Sequence, residues 1–196
     1  MEPLFPIGSV GHTLMAMRGV WHDRVSIFSL AGVPLADDRY SGTPGPAPLE
    51  NLVYIDFDGV RYVQTNVAFR GREPSCRSFS GTMTEGVLVF DRLGPDAPEH
   101  IGVSGGPGVL IFSARQVCEA WSRYHEPDWV RLIGPGQRTR TTLLYRGGEA
   151  VRTLTAEGVK IAPSAERRVI WDPRGPDGPA HEPLRGTHVF ARTNTD

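Results

Sequence analysis

Apolar and polar residues alternate with a period of two through most of the chain as far as Ile161, and most runs end at or near Gly, Pro, Asn or Asp. This is the signature of half-buried strands joined by turns, since side chains along a strand point to opposite faces. The first such run is Arg18 to Leu30, where Trp21, Val25 and Ile27 alternate with polar neighbours. Leu49–Phe57 and Val60–Phe69 follow, separated by Asp58-Gly59, the dipeptide that most favours a tight hairpin. The pattern then repeats as a meander. Ser75 to Thr82 turns at Thr84-Glu85-Gly86 into Val87 to Asp91, Val109 to Phe112 follows a Gly/Pro loop, and Asp128 to Ile133, Arg138 to Arg146 and Glu149 to Ile161 complete the series, the last two joined by Gly147-Gly148. Ala114 to Tyr124 has no turn residues and fits either one or two helical turns or a further strand. The spacing predicts an all-β domain, an antiparallel up-and-down barrel of about eight to ten strands, because closure removes the exposed sheet edges of a long meander. Residues 1–161 are read as this domain, with the barrel proper starting near residue 18. Residues 162–196, rich in Pro and Gly, are read as a C-terminal extension packing on the barrel, with a short strand from Thr187 to Arg192. The Pro/Gly segment from Ala31 to Pro48 reads as a long loop at the rim.

Composition narrows the partners. A chain of 196 residues can bury a core without metals or disulfides. Its 21 basic and 22 acidic residues are interspersed, for a net charge of −1, which speaks against nucleic acid or an anionic membrane surface. A neutral small molecule is the expected partner, with a homodimer as the alternative for self-association. Lys160 is the only lysine, so Schiff-base chemistry has a single candidate. Cys76 and Cys118 fit neither a disulfide framework nor a zinc or redox motif. Pro3, Pro6 and His12 interrupt the stretch where a secretion signal would need apolar continuity, and no run approaches the roughly 18 apolar residues of a membrane span, so a cytoplasmic location is expected.

Candidate chemistry is sparse. Along the strand from Val60 to Phe69 one face carries Val63, Thr65, Val67 and Phe69, and the other Tyr62, Gln64 and Asn66. If the apolar face points inward, the polar set is a solvated exterior. If the polar face points inward, Tyr62, Gln64 and Asn66 are the few placed hydrogen-bonding groups of an otherwise apolar pocket, and Tyr62 can donate a proton to a developing enolate. Along Arg138 to Arg146 the alternatives are Arg140, Thr142 and Leu144, or Thr141, Leu143 and Tyr145. The second set suits an ordinary barrel interior, because an unpaired buried guanidinium is costly. The pocket expected on this basis contains Tyr62 as catalytic proton donor, with Gln64, Asn66 and Tyr145 as binding residues and Trp129 as a stacking wall. Arg140 enters only if the lumen is reversed. His125-Glu126-Pro127-Asp128 reads as a polar turn before Trp129, and the dispersed histidines show no metal-ligand spacing. Gly105-Gly106-Pro107-Gly108 lacks the lysine and hydroxyl of a phosphate loop and reads as a turn, and no nucleophile elbow is present. No cofactor or metal is expected.

Gly19-Val20-Trp21 on the first strand resembles the lipocalin signature, in which glycine lets the strand bend over the closed end of the barrel and the indole plugs it. Tyr62-Val-Gln-Thr-Asn66, the hairpin at Thr84-Glu85-Gly86, Arg140 to Glu149 and Arg152-Thr-Leu154 are similar in order and spacing to uncharacterised bacterial proteins with lipocalin-like (calycin) barrels. The resemblance spans roughly residues 18 to 161 and implies the fold. His22-Asp23-Arg24 stands where haem-binding barrels have a glycine-rich continuation, and no acidic or cysteine pattern of bilin lyases is found. The functional expectation is a cofactor-free cyclase or isomerase of bacterial specialised metabolism, acting by confining a largely apolar molecule in a reactive shape. The alternative is a non-catalytic carrier of such a molecule.

Overall fold

The computed structural model describes residues 4–35, 49–69, 75–92, 98–115 and 126–163, and two short segments at 169–170 and 182–183. Ten strands form one closed antiparallel barrel: β1 (Gly19–Phe28), β2 (Leu49–Phe57), β3 (Arg61–Phe69), β4 (Ser75–Thr84), β5 (Val87–Phe90), β6 (His100–Gly106), β7 (Val109–Ala114), β8 (Asp128–Gly134), β9 (Gln137–Arg146) and β10 (Glu149–Ala162). Each strand pairs with its sequence neighbours, and β10 closes on β1. Two-residue strands β11 (Val169–Ile170) and β12 (Glu182–Pro183) pair with each other apart from the barrel. The expected strand at Thr187 to Arg192 and most of the Ala114 to Tyr124 stretch lie outside the described residues, although β7 runs on to Ala114.

The turns follow local chemistry. Between β2 and β3 the Asp58 carboxylate accepts the backbone N–H groups of Val60 (2.8 Å) and Arg61 (2.7 Å), and those bonds hold its pKa below the ordinary carboxylate value. Gly59 takes φ 109°, so the Asp58-Gly59 signal marks the hairpin, with the turn one residue longer than the tightest form. Gly19 also needs to be glycine. Its φ is 123°, and a Cβ there would sit 2.3 Å from the carbonyl oxygen of Ala162, where β1 bends against the end of β10.

Alternation alone did not reveal the helix that closes this end. Ser9 caps α1 (Val10–Met17), its side chain accepting the His12 N–H, and Val10, Leu14 and Met17 form the stripe that enters the core. The last turn's carbonyls find partners in the barrel: Met17 O accepts the Trp21 indole N–H at 2.7 Å, and Ala16 O accepts the Lys160 ammonium at 2.8 Å. Trp21 is fully buried beneath the helix, with the Arg138 guanidinium 4.5 Å and the Lys160 ammonium 5.0 Å from its ring centroid.

The main core joins Trp21, Val53, Ile55, Phe57, Tyr62, Leu88, Leu110 and Val130 with the α1 stripe. Residues from β1, β2, β3, β5, β7 and β8 can meet only inside the barrel, so this cluster fixes which face is the lumen. A second buried cluster, Val20, Leu52, Tyr54 and Val67, occupies the opposite face of β1, β2 and β3.

Candidate functional site

With the lumen fixed, β3 turns Tyr62, Gln64 and Asn66 inward, and Val67 belongs to the outer cluster. Beyond the core plug the lumen opens into a cavity of about 300 Å³. One wall is apolar: Phe79 of β4, Phe90 of β5, Phe112 of β7 and Val130 of β8. The Phe90 and Phe112 rings stand edge to face at 5.6 Å, and Phe112 fits because β6 has Gly102, where a Cβ would come within 2.9 Å of its ring. The flanking strands are polar, with Gln64 and Asn66 on β3 facing Asp128 on β8 and Arg138 and Arg140 on β9. A larger depression of about 480 Å³ beside the β4–β5 hairpin, lined by Thr82, Thr84, Glu85 and Arg115 among others, contains no buried polar side chain.

The polar side chains form three sets. Deepest is the ion pair of Asp23 and Arg138, only 2% and 5% exposed, joined by two parallel bonds of 3.2 and 2.7 Å. Above it, Asp128 accepts from Arg140 Nη2 at 2.6 Å and from the Thr142 hydroxyl. Burial opposes the Arg140 charge, but Asp128, with Asp23 and Glu126 beyond it, more than offsets this and holds its pKa above the ordinary value. On the facing wall the Tyr62 hydroxyl donates to Gln64 Oε1, and Gln64 Nε2 donates to Asn66 Oδ1 at 2.8 Å. Burial raises the Tyr62 pKa; the charges of Arg138 and Arg140 pull it down and Asp128 adds to the rise, so the phenol keeps its proton at neutral pH. His100, also on the wall, has its pKa lowered by desolvation and by the Arg77 charge, against a 3.1 Å hydrogen bond to Pro98 O.

Gln64 and Asn66 therefore line one cavity together. Tyr62 lies just below it in the core, 1% exposed, with its hydroxyl engaged by Gln64. Trp129 and Tyr145 are not brought there. Trp129 is 43% exposed and pairs across strands with Thr141, on the side of β9 that also carries Tyr145. The inward residues of β9 are Arg138, Arg140, Thr142 and Leu144, which corrects the expectation that Thr141, Leu143 and Tyr145 fill the interior. The guanidinium groups are tolerated because each has a carboxylate partner, Asp128 on the adjacent β8 for Arg140 and Asp23 on β1, across β10, for Arg138. Asp128 and Glu126, read from sequence as turn residues, line the cavity. The polar alternation of Arg138, Arg140 and Thr142 was the signal that could have found this wall.

Closed antiparallel topology, a Trp-plugged end and a side-chain-lined lumen define a lipocalin-like barrel. No protein-family model matches the chain, and no curated protein matches it in sequence. Solved structures do share its fold. One is a protein of unknown function from the DUF3598 family of Nostoc punctiforme, with TM-score 0.59 and 16% identity over 80% of this chain and 50% of that one. Another is the S-type phycobiliprotein lyase of Guillardia theta, with TM-score 0.56 and 12% identity over 78% of this chain and 92% of that one. The chain thus spans half the length of the Nostoc protein. Among the described residues no helix is long and apolar enough to cross a membrane.

Proposed function

We propose that the protein binds a small molecule in the barrel lumen, its apolar body against Phe79, Phe90, Phe112 and Val130 and its polar end toward Gln64, Asn66 and Arg140. The observation that carries this reading is the division of one cavity of about 300 Å³ into an apolar arc and facing polar groups, the form of a small-molecule site. The two solved structures support the barrel and leave the ligand open. Val130, 5% exposed at the cavity wall, provides the test. Val130→Trp fills the space, and its affinity for acetylnaphthalene, read by calorimetry, should fall at least about tenfold, since each tenfold is about 1.4 kcal/mol. Unchanged affinity in a folded variant would place binding elsewhere.

A second reading adds chemistry: a cofactor-free cyclase or isomerase acting on a largely apolar molecule in the same cavity. His100 favours it. An imidazole held neutral by desolvation, in one cavity with amide and guanidinium donors, pairs a proton acceptor with groups that can stabilise an enolate oxygen. Incubation with a linear polyketide-like ketone should then return a ring-closed or rearranged isomer of equal mass, and the yield should drop on His100→Phe. Tight binding with the ketone recovered unchanged leaves a carrier.

A further inference from the structure

The hydrogen bonds on the polar walls have a direction. Tyr62 retains its proton and donates it to Gln64 Oε1, which turns the Gln64 amide nitrogen toward Asn66 Oδ1. With Oδ1 accepting from Gln64, the atom of Asn66 that makes no hydrogen bond among the described residues is its Nδ2, a donor. Across the lumen Arg140 gives Nη2 to Asp128, while its Nε is buried with no partner among the described residues. Arg77, at the same cavity, lies 4.8 Å over the Phe79 ring and has no carboxylate partner among the described residues. The carboxylates at the cavity are already engaged. Asp128 takes Arg140 and Thr142, Asp91 takes Arg61 and Ser80, and Glu126 adds to the field around Arg140. What remains on the cavity wall is a surplus of donors; Arg77 is exposed, but Arg140 Nε is buried, and a buried donor without an acceptor is costly.

We infer that the bound molecule presents an acceptor oxygen, of a carbonyl or carboxylate, to Asn66 and Arg140, and that Tyr62 is the positioning residue that turns the amide ladder toward it. This rests on the lumen being the binding site. An acceptor there satisfies Arg140 Nε, which a hydrocarbon or a donor-only group leaves buried and unpaired, and offers Asn66 Nδ2 a partner at the same cavity.

The test compares acetylnaphthalene, ethylnaphthalene and naphthoate, which share an aromatic body and differ in acceptor oxygens. The ketone should bind about tenfold tighter than the hydrocarbon, the worth of one buried hydrogen bond. Naphthoate distinguishes a carboxylate preference from a carbonyl one by exceeding or trailing the ketone. Tyr62→Phe preserves ring volume and removes the directing proton. In it the gap between ketone and hydrocarbon should shrink to about threefold or less, with ethylnaphthalene affinity little changed. Asn66→Leu, outside the core cluster, should shrink the gap equally and serves if Tyr62→Phe fails to fold. Equal binding of ketone and hydrocarbon by the native protein overturns the acceptor inference and leaves lumen binding standing. Binding that ignores Val130→Trp overturns both. A gap that survives both Tyr62→Phe and Asn66→Leu removes the ladder from recognition.

Discussion

Arg138→Met is expected to destabilise the protein by about 3–5 kcal/mol, the usual cost of leaving one partner of a buried ion pair alone. For a domain of this size that lowers the thermal midpoint by roughly 6–20 °C. The cost arises at Asp23, which is 2% exposed and loses both guanidinium bonds. The Trp21 ring loses a cation at 4.5 Å in the same substitution. Removing the other charge as well tests the cause. Asp23→Leu combined with Arg138→Met should recover most of the loss, because a pair of apolar side chains carries no desolvation penalty. Urea unfolding of the two single variants and the double variant measures this directly. If Arg138→Met falls within about 1 kcal/mol of the native protein, the Asp23 carboxylate is reaching water and the buried pair is not what organises the floor of the lumen.

Much of the barrel was legible because its determinants are local. Alternation marks a strand, Asp58-Gly59 marks a turn through a carboxylate that bonds the next amides, and Gly19 marks a bend through its φ of 123°. Helix α1 carries a signal too, Ser9 followed by Val10, Leu14 and Met17, but at eight residues and with Gly11 inside it the pattern is short. Which face lines the lumen was harder to read. On β3 an apolar set and a polar set compete, and the apolar one is satisfied on the outside, where Val67 packs with Val20, Leu52 and Tyr54. On β9 the rule against buried unpaired arginines is physically sound, yet it selected the wrong face. The partner of Arg138 is 115 residues away in sequence, and that of Arg140 is 12 away on β8. Alternation specifies which residues share a face; the pairing that makes a charged face affordable is set by strand register, which a single sequence does not display.

Gly158 shows what that register requires. It lies on β10 directly between Asp23 on β1 and Arg138 on β9, its cross-strand partners on either side. The carboxylate and the guanidinium therefore meet over a glycine. A Cβ at this position would stand 2.3 Å from Asp23 Oδ1 and 2.9 Å from Arg138 Cγ, distances at which atoms must move. No left-handed backbone angle is involved at Gly158, so the objection to a side chain is spatial only. Gly158→Ala should cost about 3 kcal/mol, the upper range for overpacking, because relief comes by pushing Asp23 off its 2.7 Å partner. The cost should also be conditional. With Asp23→Ala and Arg138→Ala both present, the neighbouring space is empty, and adding Gly158→Ala should change stability by less than about 0.5 kcal/mol, the ordinary limit for independent sites. The difference between the two backgrounds, measured by urea unfolding, is the coupling between the glycine and the ion pair. Equal costs in both backgrounds would mean that β10 needs glycine at 158 for its own backbone, and that the pair across it is a consequence of the barrel's closure rather than a condition for it.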